Sequence, residues 1–154
     1  YLGLDSIDPF IEAGLGVFCL VRTSNPSGTA IQAQRLEGGQ TVASSIATML
    51  SEAGQSSIGA HGWSTIGAVV GATNPQDAIA LRKDMPTQIF LMPGVGAQGG
   101  KIESLAPCLR NGMGALVPVS RSVLYPEAVT GDWQTDIQHA AKAYASSFKD
   151  GVPA

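Results

Sequence analysis

Charge is scarce in this sequence. Charged residues make up 14% of the chain and the net charge is −3, which excludes the broad basic surface that nucleic acid or an anionic membrane would need. Cysteine is scarcer still, with Cys19 and Cys108 alone. Both fall in apolar segments, a strand and a predicted helix, and nothing secretory surrounds them. They read as reduced core thiols of a cytoplasmic protein. The two histidines, His61 and His139, stand at no ligand spacing from each other or from the cysteines, so no metal site is expected. They also lack a Ser or Cys partner at a recognisable spacing and read as structural. No apolar run approaches the ~20 residues of a spanning helix, and no signal-peptide pattern opens the chain. Internal repeats and low-complexity tracts are absent.

What remains is ample for a core: 154 residues, 44% hydrophobic, with 19 glycines for tight turns, the profile of a single α/β domain. The chain opens at Tyr1 directly into structured-looking sequence and reads as the middle of a longer product. Four short apolar runs are expected to be strands, near 16–21, 66–70, 88–92 and 114–119. Each is apolar on both faces, the mark of a covered parallel sheet. Helices are expected between them. Asp8 is the cap of a short first helix before Gly14. A turn or short helix follows at 29–36, then a helix at about 40–53 with Val42, Ile46, Met49 and Leu50 on one face. Asn74-Pro75 starts a helix running to Lys83 or Asp84. Another is expected at about 103–111. Asp132 caps the last, at about 132–149, whose apolar stripe is Ile137, Ala140, Ala141, Tyr144 and Phe148. Residues 54–64 read as a loop or a helix end. The order βαβαβαβα suits half of a (βα)8 TIM barrel or, alternatively, a doubly wound sheet.

In either architecture ligands bind at the carboxyl ends of the strands. The side chains there are Arg22, Thr23, Ser24, Asn25, Thr73, Gln98, Ser120 and Arg121: cations and neutral hydrogen-bonding groups, with no carboxylate and no lysine. The third run stops at Pro93-Gly94 and opens into Val95-Gly96-Ala97-Gln98-Gly99-Gly100, where glycines allow backbone N–H groups close to an anion. Gly94-x-Gly96-x-x-Gly99 matches a dinucleotide fingerprint, but the acidic residue expected about 20 positions on is replaced by Val119-Ser120-Arg121. A plain turn and a phosphate-binding strand-to-helix loop remain. Arg121 beside such a loop suits a phosphate monoester, or else a surface salt bridge. Ser24 and Asn25 suit the amide-like edge of a polar heterocycle, or an ordinary turn. No paired carboxylates and no nucleophile elbow are present, so the residues point to binding of a phosphorylated small molecule and not to its transformation.

Five motifs in order, Tyr1-Leu2-Gly3-x-Asp5-Ser6, Val21 to Pro26, Val69 to Thr73, Phe90-x-x-Pro93-Gly94-x-Gly96-Ala97-Gln98-Gly99-Gly100 and Ser120-Arg121-Ser122, resemble orotidine 5′-phosphate decarboxylase of the type 2 branch, from Tyr1 to about Leu124. The resemblance implies a TIM barrel, a homodimer when full length, that converts orotidine 5′-phosphate to UMP and CO2 in de novo pyrimidine biosynthesis without a cofactor. It implies that Gln98 and Arg121 hold the phosphate, with Gly99 and Ser120 close by. Ser24 and Asn25 would lie against the pyrimidine, and Pro93 to Gly100, Gly94 included, would form part of a closing lid. The family's catalytic Asp-x-Lys-x-x-Asp segment precedes the first of these motifs, so no catalytic residue is expected in this chain. The alternatives are another phosphate-binding lyase or aldolase-like half-barrel, and a non-catalytic half-barrel module that assembles with a partner half. In a half-barrel the first and last strands are open edges.

Overall fold

The structure, a computed structural model, describes residues 3–127 and 129–152. Tyr1 and Leu2, which open the first motif, lie outside them. Four parallel strands, β1 (Val17–Arg22), β2 (Ile66–Val70), β3 (Phe90–Leu91) and β4 (Ala115–Leu116), form one sheet in the order β1-β2-β3-β4. Strands that neighbour one another in strict chain order wind in one direction, as in a barrel. A doubly wound sheet would reverse the order at a switch point, and none occurs here. The open edges are β1 and β4, as expected.

Register explains the two faces. Cys19, Ala68, Phe90 and Ala115 pair across the sheet in one row, and Leu20, Val69, Leu91 and Leu116 in the next. The first row meets the helices, and Ala68 and Phe90 are fully buried there. The second row points to the side that closes inward in a barrel. Leu20 and Leu116 are 57% and 54% exposed. On that same side the Phe18 ring lies over Gly67, where a Cβ would come within 2.5 Å of the ring.

The outer layer is α1 (Asp8–Glu12), α2 (Thr29–Gln32), α3 (Val42–Ala53), α4 (Pro75–Asp84), α5 (Arg121–Leu124) and α6 (Trp133–Gly151). Its packing differs from the sequence expectation in informative ways. On α3 the fully covered residues are Ala43, Ala47 and Leu50. Small residues face the sheet so that the helix can approach closely, while Val42, Ile46 and Met49 flank the contact. Asp8 is the first residue of α1 and not its cap. Asn74 caps α4 by position only, because its side chain donates to Thr73 Oγ1 (3.2 Å).

The helix expected at 103–111 is instead a 3₁₀ segment, Glu103–Cys108. Pro107 has no N–H for an α-helical bond and favours the tighter turn. Residues 54–57 also form a 3₁₀ turn, followed by an antiparallel bridge between Ile58 and Ser64. The third and fourth strands are shorter than expected, although ladder bonds continue beyond them from Met92 N–H to Leu116 O (2.8 Å) and from Ala72 N–H to Pro93 O (2.8 Å). No helix among the described residues is long and apolar enough to cross a membrane.

The start of α6 is as the sequence implied. Asp132 accepts from Gln134 N–H and from the Thr135 hydroxyl. Asp136, buried one turn on, accepts from the Thr130 N–H (2.9 Å) and hydroxyl (2.8 Å). The Thr135 hydroxyl bond, followed by the backbone bonds, holds the Asp132 carboxyl below its ordinary value. A depressed carboxylate contributes stability that is present above the unfolded pKa, ~3.9, and is lost as pH falls through the folded one. Amide protection in the first turn of α6, taken against the intrinsic exchange rate at each pH, is therefore expected to fall on acidification below about pH 4. Asp132→Asn should flatten that step. An unchanged pH profile in the variant would assign the step to another carboxylate.

Candidate functional site

The carboxyl ends of the first two strands are held together because their loops are bonded to one another. Gly71 N–H donates to Arg22 O (2.6 Å), and the Thr73 hydroxyl donates to Ser24 O (3.0 Å). This contact needs glycine: a Cβ on Gly71 would lie 2.7 Å from both N and Cα of Ser24. Gly100 likewise sits against the Gly94 carbonyl, 2.7 Å from where its Cβ would be.

The loop after β3 turns at Gly94, Gly96 and Gly99, all with positive φ (109°, 75° and 86°), a region other residues rarely adopt. Three of its amides are used internally: Gly96 N–H donates to Gly100 O (3.2 Å), Gly99 N–H to Gly96 O (2.8 Å) and Gly100 N–H to Gly94 O (2.9 Å). The loop is thus a self-bonded turn with fewer amides to offer an anion than its glycine content suggests.

Two open hollows flank this loop. One, of about 510 Å³, is lined by Ser24, Asn25, Pro26, Thr29, Thr73, Asn74 and Gln98. The other, of about 680 Å³, is lined by Gly96, Ala97, Arg121, Ser122, Tyr125, Pro126, Glu127 and Tyr144. Gln98 and Arg121 are both exposed at the strand ends, but they stand in different hollows. Gln98 lies with Ser24 and Thr73, and a Cβ on Gly94 would be 3.0–3.1 Å from all three. Pro93 and Gly94 lie beneath the loop. Gly99 faces open space, with no atom within 4 Å of its Cβ position. Ser120 is exposed at the start of α5, and Arg121 is that helix's first residue. Among the described residues Arg121 makes no ion pair and no side-chain hydrogen bond.

Arg22 is not available at this site. A register shift between Leu20 and Arg22 turns its side chain toward the helices, where it is 2% exposed. It pairs there with Asp77 (2.7 Å) and donates to Thr29 Oγ1 (2.9 Å) and Gln32 Oε1 (3.2 Å). Gln32 also accepts from Thr23 N–H (3.0 Å). Arg22 therefore braces the loop that presents Ser24 and contributes no charge to the hollows.

Sequence reasoning missed Ser122 and Tyr144 as site residues. The stripe on α6 placed Tyr144 in the core, and the one signal against that reading was a hydroxyl at the end of an otherwise apolar position. Burial pushes the Cys19 and Cys108 thiols up from their ordinary value, and both are free. Neither has the lowered pKa of a nucleophile. Among the described residues no group of three or more His, Cys, Asp or Glu could hold a metal ion.

Parallel strands in chain order, with hydrogen-bonding side chains and the Arg121 guanidinium at their carboxyl ends, define a segment of a TIM barrel. No family model matches the chain, but curated relatives do. It is 46% identical over 128 residues to the orotidine 5′-phosphate decarboxylase of Clostridium tetani, covering 80% of this chain and 44% of that protein. With the same enzyme of Caldicellulosiruptor bescii it shares 38% over 159 residues, covering 100% of this chain and 51% of that one. The solved structure of Leishmania donovani OMP decarboxylase matches with a TM-score of 0.71 at 27% identity, covering 95% of this chain and 53% of that one. The chain is thus a homologue of orotidine 5′-phosphate decarboxylase, a carboxy-lyase, and spans about half the length of the curated relatives it matches.

Proposed function

We propose that this chain supplies the phosphate- and pyrimidine-binding side of an orotidine 5′-phosphate decarboxylase barrel, which acts in pyrimidine biosynthesis and converts orotidine 5′-phosphate to UMP and CO2. The observation that carries this reading is Arg121, an exposed guanidinium without a partner among the described residues, at the end of the fourth strand beside the glycine loop. A guanidinium fork suits a phosphate monoester. Ser24, Asn25, Thr73 and Gln98 line the adjoining hollow and suit the carbonyl and N–H edge of a pyrimidine. Pro93 to Gly100 contributes Gly96 and Ala97 to one hollow and Gln98 to the other, which supports its contact with both ends of a nucleotide.

Decarboxylation breaks the bond between the ring carbon and the carboxylate. CO2 leaves, the electron pair stays on the ring carbon, and a proton must replace it. The residues at these strand ends include no acid or amine to stabilise or protonate that carbanion. Their part is to hold the phosphate and the ring, so that remote binding energy is spent at the reacting carbon. The Asp-x-Lys-x-x-Asp segment that the family uses for the chemistry is not among these 154 residues. No cofactor is invoked.

A second reading, a non-catalytic half that assembles with a partner half or with itself, draws on the open inner row ending in Leu20 and Leu116. Sedimentation of the chain separates the two: a monodisperse dimer without decarboxylase activity favours the module. The nucleotide reading is tested by calorimetry with UMP, ribulose 5-phosphate and a hexulose phosphate. UMP should bind tightest. Equal binding of all three would remove the pyrimidine assignment. Arg121→Ala is expected to weaken UMP binding by about 1–3 kcal/mol, the scale of a lost charged hydrogen bond. Unchanged affinity would take Arg121 out of the site.

A further inference from the structure

Gly96 is crowded by two hydroxyls from different parts of the chain. A Cβ there would lie 2.6 Å from Tyr144 Oη and 2.7 Å from Ser122 Oγ. Ser122 follows Arg121 on α5, whereas Tyr144 reaches the same point from α6. All three line the same hollow of about 680 Å³. Neither hydroxyl has a hydrogen-bond partner among the described residues. The Tyr144 ring packs with Phe148 against the core, a role phenylalanine would fill equally well. The hydroxyl is therefore surplus to packing and opens into the cavity that holds an unpaired guanidinium. Hydroxyls can donate to an anionic oxygen without adding charge, and donors converging from separate elements fix where that oxygen sits.

We propose that the Ser122 and Tyr144 hydroxyls complete the phosphate site, each donating a hydrogen bond to the phosphate monoester that pairs with Arg121. This rests on the nucleotide reading given above and extends it to two residues. It also explains the glycine at 96: any side chain would occupy the space between the two hydroxyls.

The test is titration of the full chain and its Tyr144→Phe, Ser122→Ala and double variants with UMP, uridine and inorganic phosphate. Both substitutions preserve packing, and thermal melting of each variant checks this. Each single change is expected to weaken UMP binding about 3- to 10-fold, the worth of one hydrogen bond. Phosphate binding should fall in parallel and uridine binding should be unchanged. If UMP affinity stays within about twofold of wild type in both variants while Arg121→Ala weakens it, the nucleotide reading stands and this inference falls. Equal losses for UMP and uridine would mean that the hydroxyls act through structure, which also overturns it. If the unmodified chain binds neither UMP nor phosphate, the nucleotide reading itself fails and takes the inference with it.

Discussion

Replacing Arg82 by methionine is expected to lower the unfolding free energy by about 1–3 kcal/mol, the cost of leaving buried carbonyl acceptors without their donor. Arg82, on α4, donates to four carbonyls: Cys108 (2.7 Å), Gln88 (2.7 Å), Met85 (2.8 Å) and Gly114 (2.9 Å). Those carbonyls belong to the end of the 3₁₀ segment, the approach to β3, the end of α4 and the approach to β4. One side chain therefore ties together four consecutive segments at the amino ends of the strands, opposite the candidate site. Its guanidinium also stacks on Phe90, 3.6 Å from the ring centroid. No carboxylate pairs with it in any described ion pair.

Burial pulls the Arg82 pKa down to about 10, with Arg110 adding to the effect and Cys108 opposing it. A base whose folded pKa lies below its unfolded value carries a cost while it is charged, and that cost is relieved only as pH rises through the window between the two, above about pH 10. At neutral pH Arg82 is charged, and the four carbonyl bonds offset the cost. Methionine would fill the space beside Phe90 but leave four acceptors to water or to nothing. Urea unfolding of the variant measures the balance. A loss under about 1 kcal/mol would mean that water satisfies those carbonyls as well as the guanidinium does. Lysine should rescue little, since an ammonium cannot span four acceptors in a plane.

The second large effect is expected at Gly71. Alanine there would place its Cβ 2.7 Å from Ser24 N and Cα and 2.9 Å from Thr23 C. All three are backbone atoms that cannot rotate away. The loops after β1 and β2 would have to part, at the expense of the bonds from Gly71 N–H to Arg22 O and from the Thr73 hydroxyl to Ser24 O. Overpacking of this kind costs about 1–3 kcal/mol, toward the upper end where backbone is displaced. Because Ser24 and Thr73 line one hollow, UMP affinity should fall along with stability. Gly38→Ala is the control, since nothing lies within 4 Å of its Cβ position. It should change stability by no more than about 0.5 kcal/mol. If both alanine variants unfold at the same urea concentration, the close approach at Gly71 is not rigid.

Runs of apolar residues on both faces identified all four strands and their parallel pairing, because a covered strand needs no polar alternation. Pro75 and Asp132 marked helix starts through local chemistry that holds wherever the chain goes: a ring that presets φ and a carboxylate that accepts amide bonds. Ser24, Asn25, Gln98 and Arg121 were legible as strand-end residues for the same reason, since they follow the strands in sequence. Pro107 could have been read against an α-helix at 103–111, for the missing amide is a property of the residue itself.

Position relative to other segments was another matter. Arg22 reads as a strand-end cation, yet the register shift beside it and the carboxylate of Asp77, 55 positions away, send it to the helix side. Gln98 and Arg121 each follow a strand, and the resemblance sets both on one phosphate, but they occupy separate hollows. Tyr144 belongs to an apolar stripe by period, and only the packing of α6 brings its hydroxyl to Gly96. Periodicity reports which face of an element is apolar. Which functional groups meet depends on sheet register and on contacts between residues far apart in the chain, and those are decided when the layers pack.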